Sequence, residues 1–309
     1  MKAVATLFPV FFMIGLGMFA RVRHLVTPQQ KDGANHIVFN VLFPILIFHI
    51  LFTSTIQFSA MFIVLYVFVV FLLMMGAGKL LGKFTGERFA HISFYMLATC
   101  EGGNVALPLY LSIVGASSNT VIFDLAGIAM AFVIIPIMVA RTSSGDISTA
   151  QMVRKIITNS FVIAVVLGLG LNLLGVYDKL ASSQYNELYV NTMSQATAPI
   201  IGMILFIIGY NLKIHLDTLG AVLKLLLVRI GGYALIIAGF FILFPAMMAD
   251  KIFMIAVMIY FMSPTGFVVP MQLEPLFKGN DEYSYTSAII SLNMIVTLVV
   301  YALIVVFIA

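Results

Sequence analysis

The sequence predicts an all-α polytopic membrane protein of ten transmembrane helices, arranged as a 5+5 inverted repeat with broken, crossing helices 4 and 9. Three observations lead there. Of the 309 residues, 62% are hydrophobic and 9% charged, and the mean hydropathy is +1.13; a soluble chain averages about 45–50% apolar and about 25% charged residues. The apolar residues fall into ten runs, each near the roughly 20 residues that a helical span needs. Polar Gly/Pro clusters recur in the fourth and ninth runs. Strands are excluded as spanning elements because barrel strands are shorter and alternate apolar with polar residues.

The runs cover residues 4–20, 34–53, 58–78, 92–116, 120–140, 156–175, 187–210, 219–245, 252–273 and 284–307. The first is closed by Arg21 and Arg23 with no small-residue cleavage site, which reads as an anchor rather than a removable signal. The second carries Asn40-Val-Leu-Phe-Pro44 and then His49; the third runs out at Lys79 and Lys83. The fourth contains Glu101-Gly-Gly-Asn-Val-Ala-Leu-Pro108, and the fifth holds Asp124, expected to be solvated near its outer end. The sixth is apolar on every face around Val162 to Leu167. The seventh carries Gln195-Ala-Thr-Ala-Pro199. The eighth contains Arg229, expected to reach for the cytoplasmic surface along its own aliphatic stem. The ninth contains Ser263-Pro-Thr-Gly-Phe-Val-Val-Pro270, and the tenth holds Asn293, a candidate for interhelical contact like His49.

Basic residues set the orientation. Arg21, Arg23, Lys31, Lys79, Lys83, Arg88, Arg141, Arg154, Lys155, Lys213, Lys224 and Lys278 all fall in or beside odd-numbered connections; the even connections and the termini hold only Lys2, Lys179 and Lys251. The positive-inside rule then places both termini outside the cytoplasm. The paired prolines, Pro44 with Pro199 and Pro108 with Pro270, keep nearly constant separations of 155 and 162 residues. Five spans per repeat is an odd number, so the second repeat enters from the opposite face. The domains are therefore residues 1–141, a short cytoplasmic loop at 142–155, and an inverted second repeat at 156–309.

Chemistry concentrates in the two clusters. Proline removes one backbone hydrogen bond and crowds the preceding turn. In hydrocarbon the freed groups must find partners or line a wet cavity. Interrupted helices in corresponding positions of two halves point to a transporter binding site, and amides at a half-helix N-terminus attract anions. The substrate-binding candidates are Asn104, Gly103 and Pro108 from the first cluster and Ser263, Thr265, Gly266 and Pro270 from the second. Asn40 and Gln195 either point into the crossing region or bond between helices. Glu101 is the sharpest residue, because a carboxylate at the bilayer centre costs about 2.5–3.5 kcal/mol. It is the candidate for proton coupling; fastening the unwound segment is its alternative role.

Other classes find little support. No dinucleotide, phosphate-loop, zinc-protease or serine-hydrolase motif is present, and His24, His36, His49, His91 and His215 make no metal pair at helical spacing. No metal, cofactor or enzymatic activity is expected. A single cysteine, Cys100, rules out a disulfide framework and reads as a buried inert thiol. The net charge of +4 is scattered, which gives no nucleic-acid footprint.

Four stretches resemble the auxin efflux carrier family, which includes prokaryotic organic-acid permeases and plant auxin carriers. They are Asn40 to Leu51 (NVLFPILIFHIL), Gly102 to Gly115 (GGNVALPLYLSIVG), Ala198 to Leu212 (APIIGMILFIIGYNL) and Met262 to Leu273 (MSPTGFVVPMQL), followed by the Ser/Thr-bearing last span, Ala288 to Thr297. The resemblance covers essentially the whole chain. It implies a scaffold bundle and a transport bundle, a crossover of spans 4 and 9 at the substrate site, and a fold similar to bile-acid/sodium symporters and sodium/proton antiporters. The family's polar residue and proline at each crossover fall on Asn104 with Pro108 and on Thr265 with Pro270. Two departures stand out: Glu101-Gly102-Gly103 replaces a Gly/Asn-rich approach, and Gly266 stands where an Asn is expected. The short 142–155 connection argues against kinase control through a long loop.

The expected function is a secondary carrier in the cell membrane that moves a small organic anion, a mono- or dicarboxylate, by alternating access, with proton coupling through Glu101. The expected partners are that anion and membrane lipids, with no nucleic acid; a homodimer is left open. A sodium-coupled symporter of the same fold and a membrane-embedded lipid-modifying enzyme are the alternatives.

Overall fold

A computed structural model describes residues 2–54, 59–115, 117–142, 154, 157–158, 160–211 and 219–309. Among them the only regular structure is helical. Among the described residues, eight helices are long and apolar enough to cross a membrane: Val4–Val22, Pro28–Thr53, Met61–Leu80, Tyr95–Val114, Asn119–Val139, Asn186–Asn211, Leu219–Leu243 and Asp281–Phe307. Two shorter apolar helices, Val162–Leu173 and Lys251–Met262, correspond to the sixth and ninth sequence runs. The connection expected at 142–155 falls almost wholly outside the described residues, so the proposed boundary between repeats does too.

The helices sort into two packed groups. Lys2–Val22 lies along Ile200–Asn211, and Phe43–Thr53 lies along Ser160–Leu173. Glycine lets the first pair approach closely: a Cβ on Gly17 would overlap the Phe206 carbonyl, and one on Gly209 would overlap the carbonyl of Ile14. Gly168 gives Phe43–Thr53 the same access, with the Phe48 carbonyl 3.0 Å from a hypothetical Cβ. Where lipid is as apolar as the side chains, close backbone packing of small residues is what holds helices together. The second group joins Ser59–Leu80 to Asn119–Ala129, and Leu219–Leu243 to Lys251–Met262 and Asn280–Phe307. Its interior is aromatic, with Phe123, Phe240, Tyr260 and Phe261 in mutual ring contact.

Three helices contain a π-turn, and each π-turn is followed by a proline at the second residue of the next helical segment. Val38–Leu42 precedes Phe43-Pro44, Gly102–Ala106 precedes Leu107-Pro108, and Met130–Ile134 precedes Ile135-Pro136. The cause is local. Proline offers no N–H to the carbonyl four residues back and its ring crowds that carbonyl; one extra residue in the turn relieves the clash. The residues four back are Asn40, Asn104 and Phe132, and all three border one cavity.

Two interruptions are deeper. The fourth run is a 3-10 turn at Tyr95–Leu97, a non-helical stretch through Glu101, and then the π-turn leading into Leu107–Val114. The ninth run stops at Met262, is extended at Ser263, and resumes as Val268–Leu273.

Candidate functional site

The two interruptions bond to each other. The Glu101 N–H donates to the Pro264 carbonyl at 2.6 Å, and the Gly266 N–H donates to Thr99 Oγ1 at 3.2 Å. The Thr265 hydroxyl donates to the Met96 carbonyl. Backbone groups that lost helical partners thus find them in the other interruption, as the low-dielectric surroundings demand.

Opposite charges stand on either side of the two interruptions. Where helices end, at Met96 to Thr99 and at Ser263, sits Arg229. It is only 2% exposed. Nη1 donates to the Met96 carbonyl at 2.9 Å, and Nη2 donates to the carbonyls of Thr99 and Ser263, each at 2.9 Å. Its guanidinium lies 4.5 Å from the Tyr233 ring centroid. The expectation that Arg229 reaches the membrane surface is wrong. Exposed carbonyls at two helix C-termini carry partial negative charge, and a planar five-donor cation satisfies several at once. Asn293 Nδ2 adds a bond to the Ser263 carbonyl at 3.1 Å, and Tyr233 donates to the Leu97 carbonyl at 2.7 Å.

Glu101 stands where the half-helices restart. Oε1 accepts from the Asn104 N–H at 3.1 Å and from Asn104 Nδ2 at 2.5 Å; Oε2 accepts from the Phe267 N–H at 2.5 Å. One carboxylate therefore caps the restart at Gly102 and also takes the Phe267 N–H just before Val268–Leu273. The sequence predicts free amides there for an incoming anion; the protein's own side chain occupies them.

This carboxylate borders a cavity of about 390 Å³ whose polar lining includes Asn35, Asn40, Thr99, Asn104, Asp124 and Ser160, with Phe43, Phe132, Phe267, Val268 and Met271 as apolar wall. No Lys, Arg or His is among the lining residues. Asn104 Oδ1 is buried without a hydrogen-bond partner. Asp124 also faces the cavity, which corrects the expectation that it is solvated. Its Oδ1 accepts from the Tyr260 hydroxyl at 3.2 Å, and a Cβ on Gly102 would run into its carboxyl group. A glycine at 102 is what makes room for it.

Of the residues named from sequence, Glu101, Gly103, Asn104, Gly266 and Asn40 meet at the cavity. Asn40 Nδ2 bonds His36 Nδ1 of its own helix at 2.8 Å rather than another helix. Ser263 and Thr265 are fully buried and lie outside the lining: the Ser263 hydroxyl donates to the Tyr260 carbonyl at 2.7 Å, and Thr265 ties to Met96. Pro108 and Pro270 are not among the lining residues. Gln195 is exposed on Asn186–Thr197 and is not brought to the cavity. His49 Nδ1 pairs with the Tyr189 hydroxyl at 2.9 Å. Cys100 is buried. Sequence reasoning missed Asp124, Thr99 and Tyr260. Asp124 had a usable signal, since an ionisable residue inside an apolar span marks a site by default.

A comparison with curated proteins gives no match. A family model described as membrane transport protein matches residues 2–308. The chain belongs to that family, which is the auxin efflux carrier family of transporters.

Proposed function

We propose that this membrane transport protein is a secondary carrier of a small organic anion, a mono- or dicarboxylate, working by alternating access at the crossover of its fourth and ninth spans. The observation that carries the reading is the convergence of two half-helix starts on one carboxylate at a cavity large enough for a small solute. Amides that hold the Glu101 carboxylate hold a substrate carboxylate equally well. Asn104 then turns its amide to the ligand, while Gly103 and Gly266 make room for the Phe43 ring and the Thr99 hydroxyl that line the cavity. Among the described residues the lining holds no basic side chain, so an anion enters at acceptable cost only with a compensating positive charge. A proton on Glu101 supplies it: neutral Glu101 leaves the amides and the substrate takes its place.

The packing supports the two-repeat reading. The first span lies on the seventh and the second on the sixth, as an exchange of two inverted halves requires, while the third to fifth spans mirror the eighth to tenth. The inner, or plasma, membrane of the cell with both termini outside the cytoplasm is the accompanying topology.

The test is uptake into liposomes by purified protein, against a panel of labelled carboxylates, with and without an inward proton gradient. Saturable uptake that rises with the gradient and falls when Asn104→Ala is introduced is expected. No saturable uptake of any carboxylate would overturn the reading. Uptake that follows a sodium gradient, tested by exchanging sodium for potassium, would assign the coupling to sodium instead.

A further inference from the structure

We propose that Asp124 is the proton donor that releases Glu101 from the half-helix amides, so that the two carboxyls work as a relay. The proposal rests on the carrier reading above and adds a residue and a step to it.

The two acids have opposite surroundings. Glu101 accepts from three N–H groups, so both its oxygens act as acceptors and it holds a negative charge in the unliganded site. Asp124 has fewer donors, the Gly102 N–H and the Tyr260 hydroxyl. The Tyr260 O–H has one hydrogen and two acceptors within reach, the Phe123 carbonyl at 3.3 Å and Asp124 Oδ1 at 3.2 Å. When Tyr260 donates to Phe123, its contact with Asp124 is a hydrogen bond only if Asp124 carries the hydrogen. When Asp124 is ionised, the same O–H turns to it. Asp124 therefore has a partner in both protonation states, and Glu101 on its amides does not.

Position completes the argument. Both carboxyls border the same cavity, and the Asp124 carboxyl packs against Gly102, the residue next to Glu101. Two adjacent carboxylates without a cation cannot both stay ionised in low dielectric. The other ionisable groups that face Asp124 are Cys100 of the first interruption and Tyr260 in the last turn of Lys251–Met262. Arg229 is committed to three carbonyls and touches the Cys100 sulfur. On the packed helix Ser59–Leu80 the one formal charge is Lys79, in its last turn. In Lys251–Met262, Lys251 is at the end opposite Tyr260. Tyr110 of Leu107–Val114 is bonded to Ser117 and the Ile252 carbonyl.

The step balances. The O–H bond of Asp124 breaks and an O–H bond forms on Glu101, so the negative charge passes to Asp124. The Tyr260 hydroxyl turns from Phe123 to the new carboxylate. Neutral Glu101 leaves the amides of Asn104 and Phe267. A substrate carboxylic acid then gives its proton to Asp124 and binds those amides as the anion. One anion and one proton enter together, and the cavity keeps a single negative charge.

Two measurements test this. In transport, Asp124→Asn cuts substrate exchange about a hundredfold or more, the weight of a lost proton transfer. Glu101→Gln, which needs no proton to leave, exchanges substrate without accumulating it on a proton gradient. The double variant matches Glu101→Gln. Wild-type exchange by Asp124→Asn, or a double variant as inactive as Asp124→Asn, overturns the relay. The second measurement needs no substrate, so it stands even if no carboxylate is carried. Infrared difference spectra of unliganded protein at neutral pH show a protonated carboxyl band that Asp124→Asn removes and Glu101→Gln leaves. A band that survives Asp124→Asn refutes the assignment.

Discussion

Replacing Arg229 by methionine tests whether a buried cation holds the crossover together. The side chain makes three bonds to carbonyls at 2.9 Å. Bonds from a charged donor contribute about 1.5–3 kcal/mol each, giving a gross loss of about 4–9 kcal/mol. Two effects reduce it. Each carbonyl keeps a second donor: Thr265 on Met96, Tyr233 on Thr99 at 3.4 Å, and Asn293 on Ser263 at 3.1 Å. The variant also escapes the desolvation of a guanidinium, several kcal/mol in a protein interior. The expected net cost is about 2–4 kcal/mol, a fall in Tm of about 3–6 °C for a chain of this size. The sole cysteine provides the assay. Cys100 is 3% exposed, so a thiol-reactive fluorogenic dye reports unfolding through it. Because Arg229 Nη2 lies 3.5 Å from the Cys100 sulfur, circular dichroism melting serves as the independent check. A Tm equal to or above wild type by both probes refutes the claim that Arg229 binds the half-helix ends. Arg229→Lys should fall between, since one ammonium cannot span three carbonyls.

Gly102→Ala should abolish transport and lower Tm, because its methyl meets the Asp124 carboxyl; the cost is about 1–3 kcal/mol, and adding Asp124→Ala should restore stability but not proton-driven uptake. Gly209→Ala should destabilise by a similar 1–3 kcal/mol or so by forcing Lys2–Val22 away from Ile200–Asn211, which melting curves will show. Asn104→Ala should raise the KM for substrate about tenfold, whereas Gln195→Ala, away from the cavity, should leave uptake kinetics as they are.

The spans were legible because hydropathy and length suffice for them. The interruptions were legible because Gly102, Gly103, Pro108, Pro264 and Gly266 have a direct backbone effect. What sits at each interruption was not. Arg229 and Glu101 read from sequence as single charges with separate fates. Only the fold shows that 128 residues of separation place them at opposite ends of one crossing, each answering two helix termini. Ser263 and Thr265 read as ligand contacts because hydroxyls in an unwound stretch can serve either purpose. The structure uses them on local carbonyls, since in hydrocarbon those carbonyls need donors before any solute arrives. Asp124 was misplaced because distance from the end of a run says nothing about which face of the helix it takes. Pro136 was passed over for want of a polar neighbour, although it stands in the same relation to a π-turn as Pro44 and Pro108.

The bonds between the two interruptions bear on how a solute could pass. Pulling Glu101 from Pro264, Thr265 from Met96, Gly266 from Thr99 and Phe267 from Glu101 would mean tearing several short links together, with Arg229 still gripping both sides. The knot travels whole or stays put. Under the carrier reading, the seam where it borders Phe43–Thr53 and Ser160–Leu173, lined by Asn40, Phe43 and Ser160, is where a doorway would open.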